Sequence, residues 1–230
     1  MNHLNIILGK HLLQMAQAVY TLSFVCMTLL SSCTYLTTEK KLLADEYTPD
    51  VKSKGMEALA YCKENQLNTD FCILIDMNIH SGKNRLLVYD FNEEAILNAA
   101  LCSHGCGSSP WGSDQTKESP VFSNVENSHL SSLGKYKIGS RGYSNWGINI
   151  NYKLYGLEST NNKAFDRLIV LHSWDKIPEQ EVFPNGAAEG WGCPAISNST
   201  MEYIDSLLSQ VSTPVLLWIY HNNNTKSPKH

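Results

Sequence analysis

Charge is scarce in this 230-residue sequence: Lys, Arg, Asp and Glu together make up 17% of it, and the net charge is −4. No stripe of Lys and Arg runs along any segment, which excludes the electrostatic footprint of a nucleic-acid-binding protein. No apolar run reaches the roughly 20 residues that a membrane-spanning helix needs. No internal repeat is present. What is there is ordinary for a globular chain: 43% apolar residues, enough for one domain with a real core plus an N-terminal extension.

The extension has a recognisable pattern. After Lys10 and His11, residues Ala18 to Leu30 are apolar and uncharged, the size of a signal-peptide core. The run closes on Leu30-Ser31-Ser32-Cys33, which resembles the bacterial lipobox, where a small residue precedes the cysteine that is lipidated. Residues 1–32 are therefore expected to be a lipoprotein-type signal peptide, Cys33 the lipid attachment point, 33–49 a tether, 50–221 the folded domain and 222–230 a disordered tail. A plain cleaved signal is the alternative; either exports the protein to the cell envelope or periplasm, and the lipidated form is held at a membrane. Losing Cys26 and lipidating Cys33 leaves Cys62, Cys72, Cys102, Cys106 and Cys193. An odd number in an exported protein points to one reactive thiol. The other four could form two disulfides, in any of three connectivities.

The domain reads as mainly β with two flanking helices. Asp50 can cap a first helix, with Met56, Leu59, Ala60 and Leu67 as its apolar face. Short apolar runs at 71–77, 85–91, 95–102, 135–138, 147–155, 168–172 and 214–220 read as strands. Ser199, with Glu202 three residues on, has the pattern of a capping box opening the second helix, with Met201, Ile204, Leu207, Leu208 and Val211 as its apolar face.

Two residues carry the chemistry in this pattern. His172 ends a strongly apolar strand, where a rigid sheet delivers a side chain to its rim. Cys193 follows Gly192, which removes side-chain bulk beside the sulfur, and precedes Pro194, which fixes the chain direction. The amides of Gly192 and Cys193 are candidate oxyanion donors. A free thiol is only a few per cent thiolate near neutrality, so it needs a base; His172 is the candidate. The connection from Ser173 to Glu189 exceeds the roughly 12–15 residues usual for a structureless loop, a length common in lids and binding loops.

Arg167 to His172 and Trp191-Gly192-Cys193-Pro194-Ala195-Ile196 resemble the murein L,D-transpeptidase (YkuD-type) catalytic domain, in the branch with Gly-Cys-Pro-Ala at the nucleophile. Phe122-Ser123-Asn124, Ser131-Ser132-Leu133-Gly134 and Gly156-Leu157-Glu158 occur upstream in the same order as in that branch, so the resemblance spans roughly 71–221. It implies a β-sandwich or barrel-like domain that needs no cofactor or metal. The implied reaction is acyl transfer on peptidoglycan stem peptides: a thioester on Cys193, His172 as base, and a 3→3 cross-link when a neighbouring amine resolves the thioester. With water as acceptor the same site is an L,D-carboxypeptidase. The main-chain carbonyl of Ser173 is expected to orient His172, and Trp191, Asn124, Ser131, His104 and Gly105 are expected to contact substrate.

The chain departs from the better-known branch of the family at Trp191, Ala195 and Ser173, where that branch has histidine, arginine or asparagine, and glycine. Glu189 and Gly190 stand where the closer branch favours arginine and serine, which keeps a non-catalytic, lipid-anchored wall-binding protein as the other reading. Ser103-His104-Gly105-Cys106 imitates the better-known nucleophile signature, but no strand-ending histidine lies closely upstream of it. Cys102, His104 and Cys106 lack the spacing and the fourth ligand of a tight zinc site.

Overall fold

The structure, a computed structural model, describes residues 49–222. The expected signal segment, Cys33, all but the last residue of the tether and the tail from residue 223 lie outside the described residues.

Helix α1 (Pro49–Glu64) opens on a proline, with Asp50 in its first turn and Lys63 in its last; this order suits the missing amide of Pro and the helix dipole. Its buried face is Val51, Gly55, Ala58 and Cys62, a single stripe at helical spacing. This corrects the face read from the larger side chains: Met56 is 53% exposed. The small residues win because the helix lies directly on a ring. A Cβ on Gly55 would stand 2.3 Å from Tyr89 Cε1.

The strands are β1 (Phe71–Asp76), β2 (Leu86–Asp90), β3 (Ala95–Ala100), β4 (Gly134–Tyr143), β5 (Ile150–Gly156), β6 (Val170–Ser173), β7 (Ala195–Ile196) and β8 (Leu216–Tyr220). They form one sheet in the order β3-β2-β1-β8-β4-β5-β6-β7. The β1–β8 and β6–β7 pairs are parallel and the rest antiparallel. β1 is buried on both faces: Phe71, Ile73 and Ile75 join the main core, while Cys72 and Leu74 alternate to the opposite face and are also buried. That is why its sequence is a continuous apolar run.

The sheet curls until its two ends meet. Past β3, Ser103 N–H donates to Ala195 O of β7 at 2.8 Å, Gly190 N–H to His104 O at 2.8 Å and Cys106 N–H to Gly190 O at 2.7 Å. The result is a nearly closed barrel whose otherwise open edges cover each other. Side chains from both ends of the strand order, Leu86 and Val88 of β2 and Ile196 of β7, share one core with Met201, Ile204 and Leu208 of helix α2 (Asn198–Leu208). Among the described residues the strands make a single curled sheet, the barrel-like form of the expected fold.

Helix α2 is capped by Ser197, in extended backbone (φ −70°, ψ 164°), whose side chain accepts from Thr200 N–H. The cap read at Ser199 is thus displaced by two residues; Ser199 lies inside the first turn and, with Ser197, hydrogen-bonds the Glu179 carboxylate. Strand β6 starts at Val170 rather than Leu168, because Leu168 has φ +57° and ends a turn. No helix among the described residues is long and apolar enough to cross a membrane.

Candidate active site

The seam of the barrel is where the sequence-derived nucleophile and base lie. Cys193 sits between Gly190 and Ala195, which are both tied to the segment after β3, and Ser103 holds the turn: its hydroxyl donates to Cys193 O at 3.2 Å and accepts from Ala195 N–H at 3.1 Å. The parallel β6–β7 pair sets His172 opposite Ala195, two residues beyond Cys193. His172 and Cys193 line the same cleft, of about 410 Å³.

His172 Nδ1 is 2.9 Å from Ser173 O. A carbonyl only accepts, so Nδ1 carries the proton and Nε2 is left as the basic nitrogen. Burial pulls the His172 pKa below the ordinary histidine value, against the opposing Ser173 hydrogen bond, so the imidazole is neutral at neutral pH. The Ser173 side chain has a separate task. It is fully buried, and its hydroxyl accepts from Ile148 N–H at 3.0 Å.

Burial raises the Cys193 thiol, while the Val170 N–H and the Arg167 charge oppose the rise. The sulfur lies 3.5 Å from Val170 N and donates to Leu168 O at 3.8 Å. The resting pair is therefore neutral thiol and neutral imidazole, which suits general-base activation during attack. Gly192 has φ +100°, and a Cβ there would stand 2.5 Å from Leu130 O; only glycine fits. Its carbonyl accepts from Ser131 Oγ at 3.1 Å. Among the described residues, neither the Gly192 nor the Cys193 N–H has a protein acceptor, which leaves both free to bind a developing oxyanion.

Trp111, Trp146, Trp174 and Trp191 form the apolar walls of this cleft. The Trp111 and Trp174 ring centroids are 4.8 Å apart, and Trp191, 61% exposed, stacks on His129 at 5.0 Å. Sequence reasoning singled out Trp191 and missed the other three. The available signal was their rarity, since the chain holds five tryptophans and four of them meet here. On the other side of Trp191 a polar groove is lined by Glu126, His129, Asp166 and Arg167.

Several expected substrate contacts are placed elsewhere. Ser131 is buried and spent between Gly105 N–H and Gly192 O. Asn124 reaches Asn162 Oδ1 at 2.8 Å and lines a different depression, near Phe122 and His221. Gly105 is packed against the backbone at His129 and Leu130. His104 is fully buried behind the cleft. Arg85, also buried, can only donate, so its Nη2 at 2.8 Å makes His104 Nδ1 the acceptor. His104 Nε2–H then donates to Thr116 Oγ1 at 2.8 Å, and Thr116 O–H to Glu189 Oε1 at 2.9 Å. Burial first, then Arg85, lowers His104 to about 3. The 3.7 Å approach of His104 to Glu189 is thus no ion pair. Glu189, the departure from the family pattern, is a buried anchor that also accepts from Thr116 N–H at 2.6 Å and Ser113 Oγ at 3.2 Å.

The five described cysteines are free thiols. Cys106 is buried, donates weakly to Gly107 O at 3.8 Å and lines neither groove beside Trp191. No group of three or more His, Cys, Asp or Glu that could hold a metal gathers among the described residues. The long connection after Ser173 carries its own small core of Trp174, Ile177 and Ala187 against Leu101 and Ala195; it is fastened down rather than hung as a lid.

The L,D-transpeptidase catalytic domain family matches residues 43–220, most of the chain. This chain belongs to that family. No curated protein matches it. Among solved structures, this L,D-transpeptidase domain is similar to an L,D-transpeptidase from Xylanimonas cellulosilytica, at 11% identity and a TM-score of 0.37 over 70% of this chain and 68% of that one. It is also similar to the helical cell shape determining protein Pgp2 from Campylobacter jejuni, at 13% identity and a TM-score of 0.41 over 66% of this chain and 47% of that one. It spans about half the length of the latter chain.

Proposed function

We propose that the domain is a cysteine-dependent acyl transferase acting on peptidoglycan stem peptides, held at a membrane of the cell envelope by a lipid on Cys33. In this reading His172 Nε2 takes the Cys193 proton as the sulfur attacks the carbonyl of the L-centred diamino acid. The Gly192 and Cys193 amides hold the oxyanion. The terminal D-alanine leaves with the proton from His172, and a thioester remains on Cys193. A neighbouring stem's neutral side-chain amine then attacks the thioester carbonyl, giving a proton to His172; the C–S bond breaks, the Cys193 sulfur takes that proton back, and a 3→3 cross-link is formed. The observation that carries the reading is a neutral imidazole and a thiol lining one open cleft, with the Gly192 and Cys193 amides beside the sulfur left without a protein acceptor among the described residues.

An amine acceptor has a place to enter in the second groove across Trp191, lined by the Glu126 and Asp166 carboxylates together with the Arg167 guanidinium. Water in the same place makes the enzyme an L,D-carboxypeptidase. Of the two departures behind the non-catalytic reading, Glu189 anchors the barrel seam and is not part of the cleft lining, while Gly190 does line the cleft. Incubation of purified protein with stem peptides, read as muropeptides, tests the reaction: dimers cross-linked 3→3 support transpeptidation, trimmed monomers support the carboxypeptidase, and unchanged peptide counts against both. Intact-mass analysis with a carbapenem tests the nucleophile. The adduct is expected to vanish with Cys193→Ala and persist with Cys106→Ala; the reverse pattern removes Cys193 from the mechanism.

A further inference from the structure

We infer that Arg167 is the positioning residue of Cys193, a cation held behind the nucleophile by neutral oxygens so that the thiolate formed during attack becomes its counter-ion. The inference rests on Cys193 being the nucleophile. It does not require that the substrate be a stem peptide.

Arg167 lies in the turn just before β6 and is half-buried. Its Nη1 donates to Ser123 O at 2.9 Å and Ser132 Oγ at 3.3 Å, and its Nη2 to Leu130 O at 2.6 Å and Ser128 Oγ at 3.3 Å. None of these is a carboxylate, and among the described residues Arg167 forms no ion pair. A half-buried guanidinium commonly acquires a partner charge; here Glu126 and Asp166, which line the same groove, form no ion pair with it. Glu126 acts on it only weakly and is exposed.

Two physical routes join Arg167 to the sulfur. The first runs through Leu130: the carbonyl that accepts from Arg167 is the one that fills the space beside Gly192, 2.5 Å from where a Cβ would stand, and Ser131 next to it holds Gly192 O. Arg167 therefore fixes the wall on which the nucleophile turn rests. The second runs along its own chain. Leu168, in the left-handed region, turns its carbonyl to the Cys193 thiol, and Val170 N–H points at the same sulfur. That Leu168 adopts φ +57°, a conformation disfavoured outside glycine, marks this turn as held in place by its surroundings.

The other titratable groups facing the sulfur do not supply a positive charge. His172 on β6 is neutral. Tyr136 on β4 is pushed up to about 12 by burial and bonds Ser132, a partner of Arg167. Arg167 is the charged side chain, among the described residues, whose field favours the thiolate against the cost of burial.

The test is the pH profile of Cys193 alkylation by iodoacetamide in the full-length protein, read on the Cys193 peptide by mass spectrometry, for wild type, Arg167→Gln and Arg167→Lys. Glutamine keeps a donor and loses the charge; lysine keeps the charge and loses the fork. A nearby opposite charge moves a pKa by about 1–3 units. Arg167→Gln is expected to raise the midpoint by about one unit, roughly a tenfold slower reaction on the acid limb, and Arg167→Lys to keep it within about half a unit of wild type. An unmoved midpoint in Arg167→Gln, or equal shifts in both variants with native near-UV circular dichroism, overturns the proposal and leaves Arg167 a purely structural fastening. Should Arg167→Gln fail to fold, Arg167→Lys decides alone: a retained midpoint supports the charge role and a full-unit rise rejects it. Because iodoacetamide reads thiolate without any substrate, a negative muropeptide assay leaves this result standing.

Discussion

Gly192 answers three demands with one missing side chain. It turns the backbone to φ +100°, lets the Leu130 carbonyl approach and leaves its own amide, next to Cys193, without a protein acceptor among the described residues. Gly192→Ala is expected to cost about 1–3 kcal/mol, the range for a residue forced into a disfavoured backbone region, with urea unfolding as the measure and slower carbapenem acylation as the accompanying effect. His172 makes a prediction about acid. Its folded pKa is depressed by burial, so on acidification the unfolded chain takes up the proton first. The contribution of His172 to stability is whole above its unfolded value of about 6.5 and is lost below it, toward the depressed folded value. The rate of acylation is expected to hold as pH falls through 6.5 and to drop only below it, since the base stays unprotonated longer than a free imidazole. A stopped-flow pH profile of acylation with its acid limb centred above 6.5 contradicts this.

At the scale of elements, α1 sets helix propensity against packing. Alanine is better than glycine in a helix interior by about 1 kcal/mol. At position 55 the added methyl meets the Tyr89 ring at 2.3 Å, and overpacking of this kind costs about 1–3 kcal/mol. Gly55→Ala is therefore expected to destabilise, visible as a lower thermal midpoint; an unchanged or raised midpoint means that the ring swings aside freely. The same helix shows what the sequence hides. Apolar spacing located α1 and α2, but it favoured bulky Met56 over the small-residue stripe that a close-lying ring selects. The strands were legible where alternation or continuous burial marks them, as in β1 and β8. They were not where backbone geometry decides: Leu168 looks like strand by composition and is excluded by its positive φ. The pairing of β7 is a two-residue event that no local pattern announces. His172 and Cys193 could be read because strand ends and glycine corners are local features. The burial of His104, Ser131 and Glu189 could not, because it depends on residues such as Arg85 and Gly192 that are distant in the chain.

For the whole molecule, the decisive construction is the closure of the sheet at 103–106 and 190–195, braced by the run from Arg85 through His104 and Thr116 to Glu189. The two charges are fully buried and balance through two neutral groups. Removing one partner of such an arrangement typically costs about 3–5 kcal/mol, so Glu189→Gln is expected to lower the urea midpoint far more than a change in any exposed carboxylate, Glu93 for example. His104 adds a pH slope. With a folded pKa of about 3 against about 6.5 unfolded, it contributes stability that is complete above pH 6.5 and drains away as the pH falls toward 3. His104→Gln is expected to be weaker than wild type at pH 7 and to approach it at pH 4.5 in parallel urea titrations; a constant gap across that interval contradicts the assignment.

Because the thiol stands where the first and last parts of the sheet are laced together, its reactivity is a by-product of completion. A chain that has built its helices and most of its strands, yet has not joined Ser103 to Ala195, holds the sulfur on a loose turn with no imidazole opposite and no aligned amides. In the proposed mechanism, partly assembled forms are thereby silent toward the acyl donor although their thiol is solvated, and the onset of acylation at Cys193 would time the final step of folding.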